Sequence, residues 1–218
     1  INKNLETTQS RISTGYRVAE ASDNAAYWSI ATTMRSDNSA MSAVTDSLGL
    51  GAAQVDVAYT AMDVVKDTLD NLKAKLVTAQ QPDIDKGKIQ SEIDGFKDLL
   101  SSVAQAATFS GQNWLAVDSD PANGHAAAGN HRSMEIVGSF TRTNSGAIVL
   151  GKISIDINSI KLYDAAATTN ETKGVLEGVR LGTTGARSDT AVTPAAGDAI
   201  AATDGYAVST LDIVGYSD

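Results

Sequence analysis

Residues 41–76 read MSAVTDSLGLGAAQVDVAYTAMDVVKDTLDNLKAKL, and two interleaved rows of apolar or small side chains run through them. Met41, Leu48, Val55, Met62, Leu69 and Leu76 stand seven apart, and so do Val44, Gly51, Ala58, Val65 and Leu72. The rows are offset by three and four residues, which is the a/d seam of a coiled coil. One heptad alone would mean little, but agreement this long predicts a single extended helix. Gly51 and Ala58 within the seam let a neighbouring backbone approach closely.

Two breaks bound this helix. On the N-terminal side, Gly15 ends a short helix begun in Leu5 to Ile12, and Ser22 or Asp23 is placed to cap the long one. On the C-terminal side, Gln80-Gln81-Pro82-Asp83 stops it, with Pro82 suited to the start of the next helix. The heptad rule then returns in Ile89, Phe96 and Val103, interleaved with Ile93, Leu100 and Ala107. Helices are therefore expected at about 1–14, 24–79 and 84–107, the last two folded into an antiparallel hairpin. At 1.5 Å per residue the long helix would run about 84 Å and its partner about 36 Å. The shorter helix cannot cover the longer one. More than half of the seam needs another partner, either a later segment or a second molecule.

From about 108 the pattern changes to β structure. Met134, Ile136, Gly138 and Phe140 alternate with polar or smaller neighbours, Asn144-Ser145-Gly146 supplies a turn, and Ala147 to Leu150 runs apolar. Ile153, Ile155 and Ile157 alternate with Ser154, Asp156 and Asn158 as a half-buried strand. Residues from 164 onward are rich in Ala, Gly, Thr and Asp and read as short strands and loops. The expected class is α+β: a long antiparallel helical hairpin or coiled-coil rod over 1–115, and a variable β-rich region over 116–218.

Composition narrows the function. With 17 basic and 26 acidic residues among 218, the net charge is −9 and the pI near 4.6. A nucleic-acid binder or a polybasic membrane binder would have to bring anions against that field. Cysteine is absent, so disulfide scaffolds, thiolate metal sites and Cys nucleophiles fall away. Aromatic residues make up 5% of the chain, which suits lengthwise helix packing better than a deep pocket.

Catalytic motifs are equally sparse. His125 and His131 lie in a Gly/Asn-rich stretch without the further ligands a metal needs, and read as solvated loop residues. Asp118-Ser119-Asp120-Pro121-Ala122-Asn123-Gly124 resembles the opening of a calcium loop, but Asn and Gly fall one place late and no closing Glu follows, so it reads as a turn. Gly49-Leu50-Gly51 sits inside the helical register rather than after a strand, unlike a dinucleotide loop. No phosphate loop or nucleophile elbow is present, and two loop histidines give a hydrolase triad little to build on. Asn170-Glu171-Thr172 is a formal glycosylation sequon. No catalytic residue, metal site or cofactor is expected.

Several separated motifs, arriving in order, carry a family resemblance. Ser10-Arg11-Ile12-Ser13-Thr14-Gly15-Tyr16-Arg17-Val18, then Ala21-Ser22-Asp23-Asn24-Ala25-Ala26 and Ile30-Ala31, resemble the N-terminal signature of bacterial flagellin. The likeness continues through the heptad helix, the turn at Pro82, Ile89-Gln90-Ser91-Glu92-Ile93, and Phe109-Ser110-Gly111-Gln112-Asn113-Trp114-Leu115. The run from Tyr27 to Asp37 is most similar to alphaproteobacterial members. Residues 116–218 resemble the family's variable outer part in character only.

The resemblance implies a non-enzymatic, secreted structural subunit of the extracellular flagellar filament, serving motility. Helices would form its inner layers and β-rich parts would face outward. It implies other flagellin subunits, an export chaperone and a capping protein as partners. The seam residues Met41 to Leu76 above, with Ile89, Ile93, Phe96, Leu100 and Val103, would be the packing and assembly set. Family members close the seam with a returning C-terminal helix. The chain is accordingly expected to be a core fragment without its terminal polymerisation segments, monomeric or weakly associated.

Host receptors read two stretches in the family. The plant-recognised epitope maps to Ser10 to Ala31, where Ser22, Asn24 and Tyr27-Trp28 depart from the usual residues. The animal receptor's contact stretch maps to Asp70 to Val77 with Glu92. Leu76 and Glu92 fit, but Asn71 stands where a contacting Arg is usual, which removes a bidentate donor and implies weak activation. The alternative reading is a flagellin-like surface protein binding polysaccharide through 116–218, for which Tyr163, Arg180 and Lys161 are the chief candidates.

Overall fold

The computed structural model describes residues 2–169, 171–189 and 204–214, so Asn170 of the sequon lies outside the described residues. Three helices lead: α1 (Asn2–Thr14), α2 (Ala25–Ala79) and α3 (Lys86–Ala106). Short strands follow: β1 (Thr108–Phe109), β2 (Gln112–Asn113), β3 (Ala116–Val117), β4 (Met134–Arg142), β5 (Ile148–Ile155), β6 (Tyr163–Asp164), β7 (Arg180–Leu181) and β8 (Gly205–Tyr206). The class is mixed α and β, as expected from the sequence.

Local chemistry sets the boundaries. Gly15, at φ +71°, donates its N–H to the Arg11 carbonyl and closes α1 through a left-handed residue that glycine adopts without strain. The cap of α2 is Asn24 rather than Ser22 or Asp23, because the Asn24 side chain accepts from the Tyr27 N–H at 3.2 Å. Asp23 instead accepts from the Ala19 and Glu20 N–H groups and folds the connection back on itself. Arg35 lies over the Tyr16 ring at 3.9 Å, fixing that connection to α2.

Pro82 starts neither helix. It sits in the connection between them, where Asp83 takes φ +66°, and α3 is capped by Asp85 through the Gly87 and Lys88 N–H groups. The β1–β2 hairpin turns through Ser110 and Gly111, both at positive φ, as a two-residue hairpin loop requires. Asn113 ties this hairpin to the end of α3. Its Nδ2 donates to the Ala104 and Gln105 carbonyls, and its Oδ1 accepts from the Leu115 and Ala116 N–H groups.

The strands pair in twos: β1 with β2, β4 with β5 and β7 with β8, and β3 runs parallel to β6 in the register Ala116↔Tyr163, Val117↔Asp164. The expected strand of alternating isoleucines is not half-buried in that way. Ile153 is exposed within β5, whereas Ile157 turns into a short 3₁₀ helix and is fully buried.

The chain forms two compact units. The first holds 1–49 and 136–153, and the second holds 50–135 and 154–218. The core of the second unit has two clusters. One joins Val65 of α2 to Leu100 and Ala104 of α3 and to Leu115, Leu162 and Leu176. The other joins Leu72 and Ala79 to Ile89 and Ile93, with Leu76, Phe96, Leu211 and Ile213 against it. The antiparallel hairpin of α2 and α3 is thus sealed by segments from the C-terminal half.

Candidate self-association surface

The two heptad rows of α2 have different fates. In the row Val44, Gly51, Ala58, Val65, Leu72, four members are buried and Ala58 is half-buried. In the other row Met41 remains 50% exposed, Leu48 37%, Val55 44% and Met62 36%, while Leu69 and Leu76 are half-buried beside the clusters above. The facing helix shows why. Ile89, Ile93 and Leu100 of α3 are buried and Phe96 and Val103 partly so, and they turn toward Val65 and Leu72. One edge of the seam is satisfied within the chain and the other is left to water over its N-terminal two-thirds.

Two apolar grooves of the second unit border α2. The first, about 500 Å³, is walled by Ala53, Val57, Ala61 and Val64 of α2 and by Val103 and Phe109. The second, about 410 Å³, lies between Met62 and Leu69 and the segment carrying Ile160, Leu162, Val175 and Leu176. Their linings are mostly apolar, with Asp56 and Thr60 at the first and Lys66, Asp70 and Ser159 at the second. Covering a half-exposed Leu, Val or Met is worth about 1–2 kcal/mol each.

The remaining candidates fall elsewhere. Asn71 is exposed, Leu76 is half-buried, and Glu92 pairs with Lys75 at 2.5 Å on the exposed side of the hairpin. His125 and His131 are not freely solvated. Their rings stack at 4.1 Å, His125 Nδ1 accepts the Arg132 N–H at 3.2 Å, and the Asn158 side chain accepts the His131 N–H at 2.8 Å. Burial first, and the neighbouring His125 after it, hold the His131 imidazole below its usual value. Among the described residues no group of three or more potential metal ligands occurs, and no helix is long and apolar enough to cross a membrane.

Sequence reasoning missed a buried polar cluster. Lys161, 1% exposed, donates to Asp164 Oδ2 at 2.5 Å and to the Gly129 carbonyl at 2.7 Å. Asp164 also accepts from the Ser119 N–H at 3.1 Å and the Ser119 hydroxyl at 2.7 Å, and the Ser119 oxygen takes the Gly129 N–H. Burial alone would raise the Asp164 carboxyl, but the hydrogen bonds from Lys161 and Ser119 outweigh it and hold the group below the usual carboxylate range. Lys161 therefore cannot line a carbohydrate groove, and Tyr163 beside it is half-buried. Of the three residues considered for polysaccharide binding, Arg180 alone is exposed. The signal available in sequence was the Lys161/Asp164 spacing of three, which by itself resembles any solvated pair.

Comparison with known proteins bears on the helical part first. Residues 1–119 match the family described as bacterial flagellin N-terminal helical region. The chain is 52% identical over 176 residues to Flagellin C of Rhizobium meliloti (strain 1021), covering 81% of this chain and 51% of that protein. It is 49% identical over 181 residues to Flagellin B of the same strain, covering 82% and 43%, and 42% identical over 169 residues to Flagellin of Brucella melitensis, covering 77% and 54%. The chain spans about half the length of these curated relatives.

Proposed function

Because the chain belongs to the bacterial flagellin family, we propose that it is the helical and variable part of a structural subunit of the flagellar filament. The work of such a subunit is self-association, not catalysis. The observation that carries this reading is the divided seam: Val44, Gly51, Val65 and Leu72 are buried in the chain, while Met41, Leu48, Val55 and Met62 continue the same heptads unburied. A row of apolar residues kept in heptad register on a solvent-facing edge is a surface suited to cover by another helix. In the assembled filament that row would be covered by helical segments of the full-length subunit and its neighbours, outside the cell. Residues 116–218 would form the outward, variable part. Export chaperone and capping protein are the further partners this role requires.

The test is seeded polymerisation of the full-length parent carrying Leu48→Asp or Met62→Asp, viewed by negative-stain electron microscopy beside the 218-residue chain. Each carboxylate would be buried without a partner on assembly, a cost large enough to block it. Wild-type parent should form filaments and both variants should not. Normal filaments from both variants would overturn the proposal. Receptor contact through Asn71, Leu76 and Glu92 should be weak for the reason given by Asn71, which offers no guanidinium fork.

A further inference from the structure

Arg180 and Arg187 are partners in an isolated antiparallel β-bridge. Directly opposed residues carry their side chains on the same face, and like charges so placed repel. Both guanidinium groups are nonetheless anchored, and by backbone carbonyls rather than carboxylates. Arg187 Nη1 donates to the Lys173 carbonyl at 2.7 Å and the Glu171 carbonyl at 3.1 Å, and Arg180 Nη1 donates to the Gly185 carbonyl at 3.1 Å. Arg187 is half-buried and Arg180 exposed.

The two opposed guanidinium groups make this point locally cationic. Lys161 holds Asp164, Arg142 holds Asp37 and Lys97 holds Asp94, whereas the half-buried Arg35 lies over the Tyr16 ring. Among the described residues neither Arg180 nor Arg187 has a carboxylate within ion-pair distance. Burial, and then the charge of Arg180, lower the Arg187 guanidinium from its usual value.

A guanidinium offers five N–H donors in a rigid plane. With Nη1 engaged below, the Nε and Nη2 edge of each arginine is left for an acceptor from outside, and two such edges on one face match the several oxygens of a tetrahedral oxyanion. We infer that Arg180 and Arg187 form a two-point receptor for a phosphate or sulfate group. The ligand neutralises the pair and bridges the two edges. Its source is either the free ion or an ester carried on a sugar, since both present the same oxygens.

The experiment uses the 218-residue chain and follows the arginine Nε–H resonances by NMR during separate titrations with inorganic phosphate, sulfate, glucose 6-phosphate and chloride at constant ionic strength. Saturable shifts at both arginines with phosphate or sulfate, but not with chloride, are expected. Arg180→Gln loses one exposed side chain with a single carbonyl bond and should keep the fold, with affinity falling at least about tenfold. Arg187→Lys keeps the charge without the fork and should weaken binding as well. Stronger binding of the sugar ester than of free phosphate assigns the source to a carried group, and the reverse order assigns it to the free ion. Equal response to chloride, no saturation, or unchanged affinity in Arg180→Gln overturns the inference.

Discussion

Replacing Lys161 by Met should unseat the second unit more than any change on its surface. The Lys161 ammonium is buried with two partners, Asp164 and the Gly129 carbonyl. Removing it leaves the Asp164 carboxylate buried with the Ser119 N–H, the Ser119 hydroxyl and the Ala166 N–H as its only donors. Breaking one side of a buried ion pair costs about 3–5 kcal/mol, and three surviving donors place Lys161→Met near the lower end. Asp164→Asn belongs near the upper end of the same range, because it leaves a buried ammonium without a counter-charge. The double variant Lys161→Met/Asp164→Asn leaves neither charge, so it should be less destabilised than the sum of the two by about 2–3 kcal/mol. The assay is urea unfolding followed by Trp114, which is buried next to Leu115, the residue whose carbonyl receives the Leu162 and Tyr163 N–H groups. A Trp28→Phe background isolates that signal. For Lys161→Met the midpoint should fall by about 1–3 M, whereas Lys66→Met, which breaks an exposed pair with Asp67, should leave it unchanged. A loss below about 1 kcal/mol in Lys161→Met, or a cycle with no coupling, would refute the reasoning.

The divided seam makes opposite demands on two leucine-like positions: Ile93→Ala, at a fully buried site, should cost the isolated chain about 2–5 kcal/mol by urea unfolding, while Leu48→Ala should cost it little and be felt only on polymerisation of the parent. Gly174→Ala should destabilise by about 3 kcal/mol or more, because a Cβ there runs into the Leu162 carbonyl and the Tyr163 nitrogen and backbone cannot yield as a side chain can; thermal midpoints of the two proteins decide it. Acid should expose the buried pair. The Asp164 carboxyl is held below its unfolded value, so its contribution is complete above about pH 4 and is lost as pH falls through the folded value, and the midpoint difference between wild type and Asp164→Asn should narrow on acidification below that point.

How much of this was readable depends on what each residue's neighbours are. The α2–α3 hairpin was legible because Met41 to Leu76 repeats the same instruction every seven residues, and a repeated signal survives local ambiguity. Which row would be buried was not legible. Met41, Leu48 and Val55 are as apolar as Val44, Val65 and Leu72, and the choice between the rows is made by Ile93, Leu100, Leu162 and Leu176 arriving from elsewhere. The cap of α2 was displaced by one residue for a similar reason, since Ser22, Asp23 and Asn24 all have capping chemistry and the Ala19 and Glu20 N–H groups had already claimed Asp23. The isoleucine alternation failed at Ile157, where Asp156 caps a 3₁₀ turn by accepting the Asn158 N–H and ends the strand. The Lys161 cluster was hidden because burial inverts the meaning of a Lys and an Asp three apart, and burial is a property of the fold rather than of the pair. In the two histidines, sequence offered only an absence of further ligands, and their mutual stacking depends on a loop closed by Asn158 from 27 residues away.

Asn113 has a consequence for how the second unit comes apart. Its one amide binds the last carbonyls of α3 on one side and the first N–H groups leading into β3 on the other. Fraying of the final helical turn frees the Asn113 donors, and loosening of the Leu115 and Ala116 backbone frees its acceptor, so neither event can proceed alone without leaving the amide half-satisfied. Helix end, hairpin and the start of the parallel β3–β6 pair consequently open and reclose as one cooperative segment. Native-state hydrogen exchange should accordingly show the amide protons from Ala104 to Ala116 sharing a common opening, without an independent, rapidly exchanging end to α3.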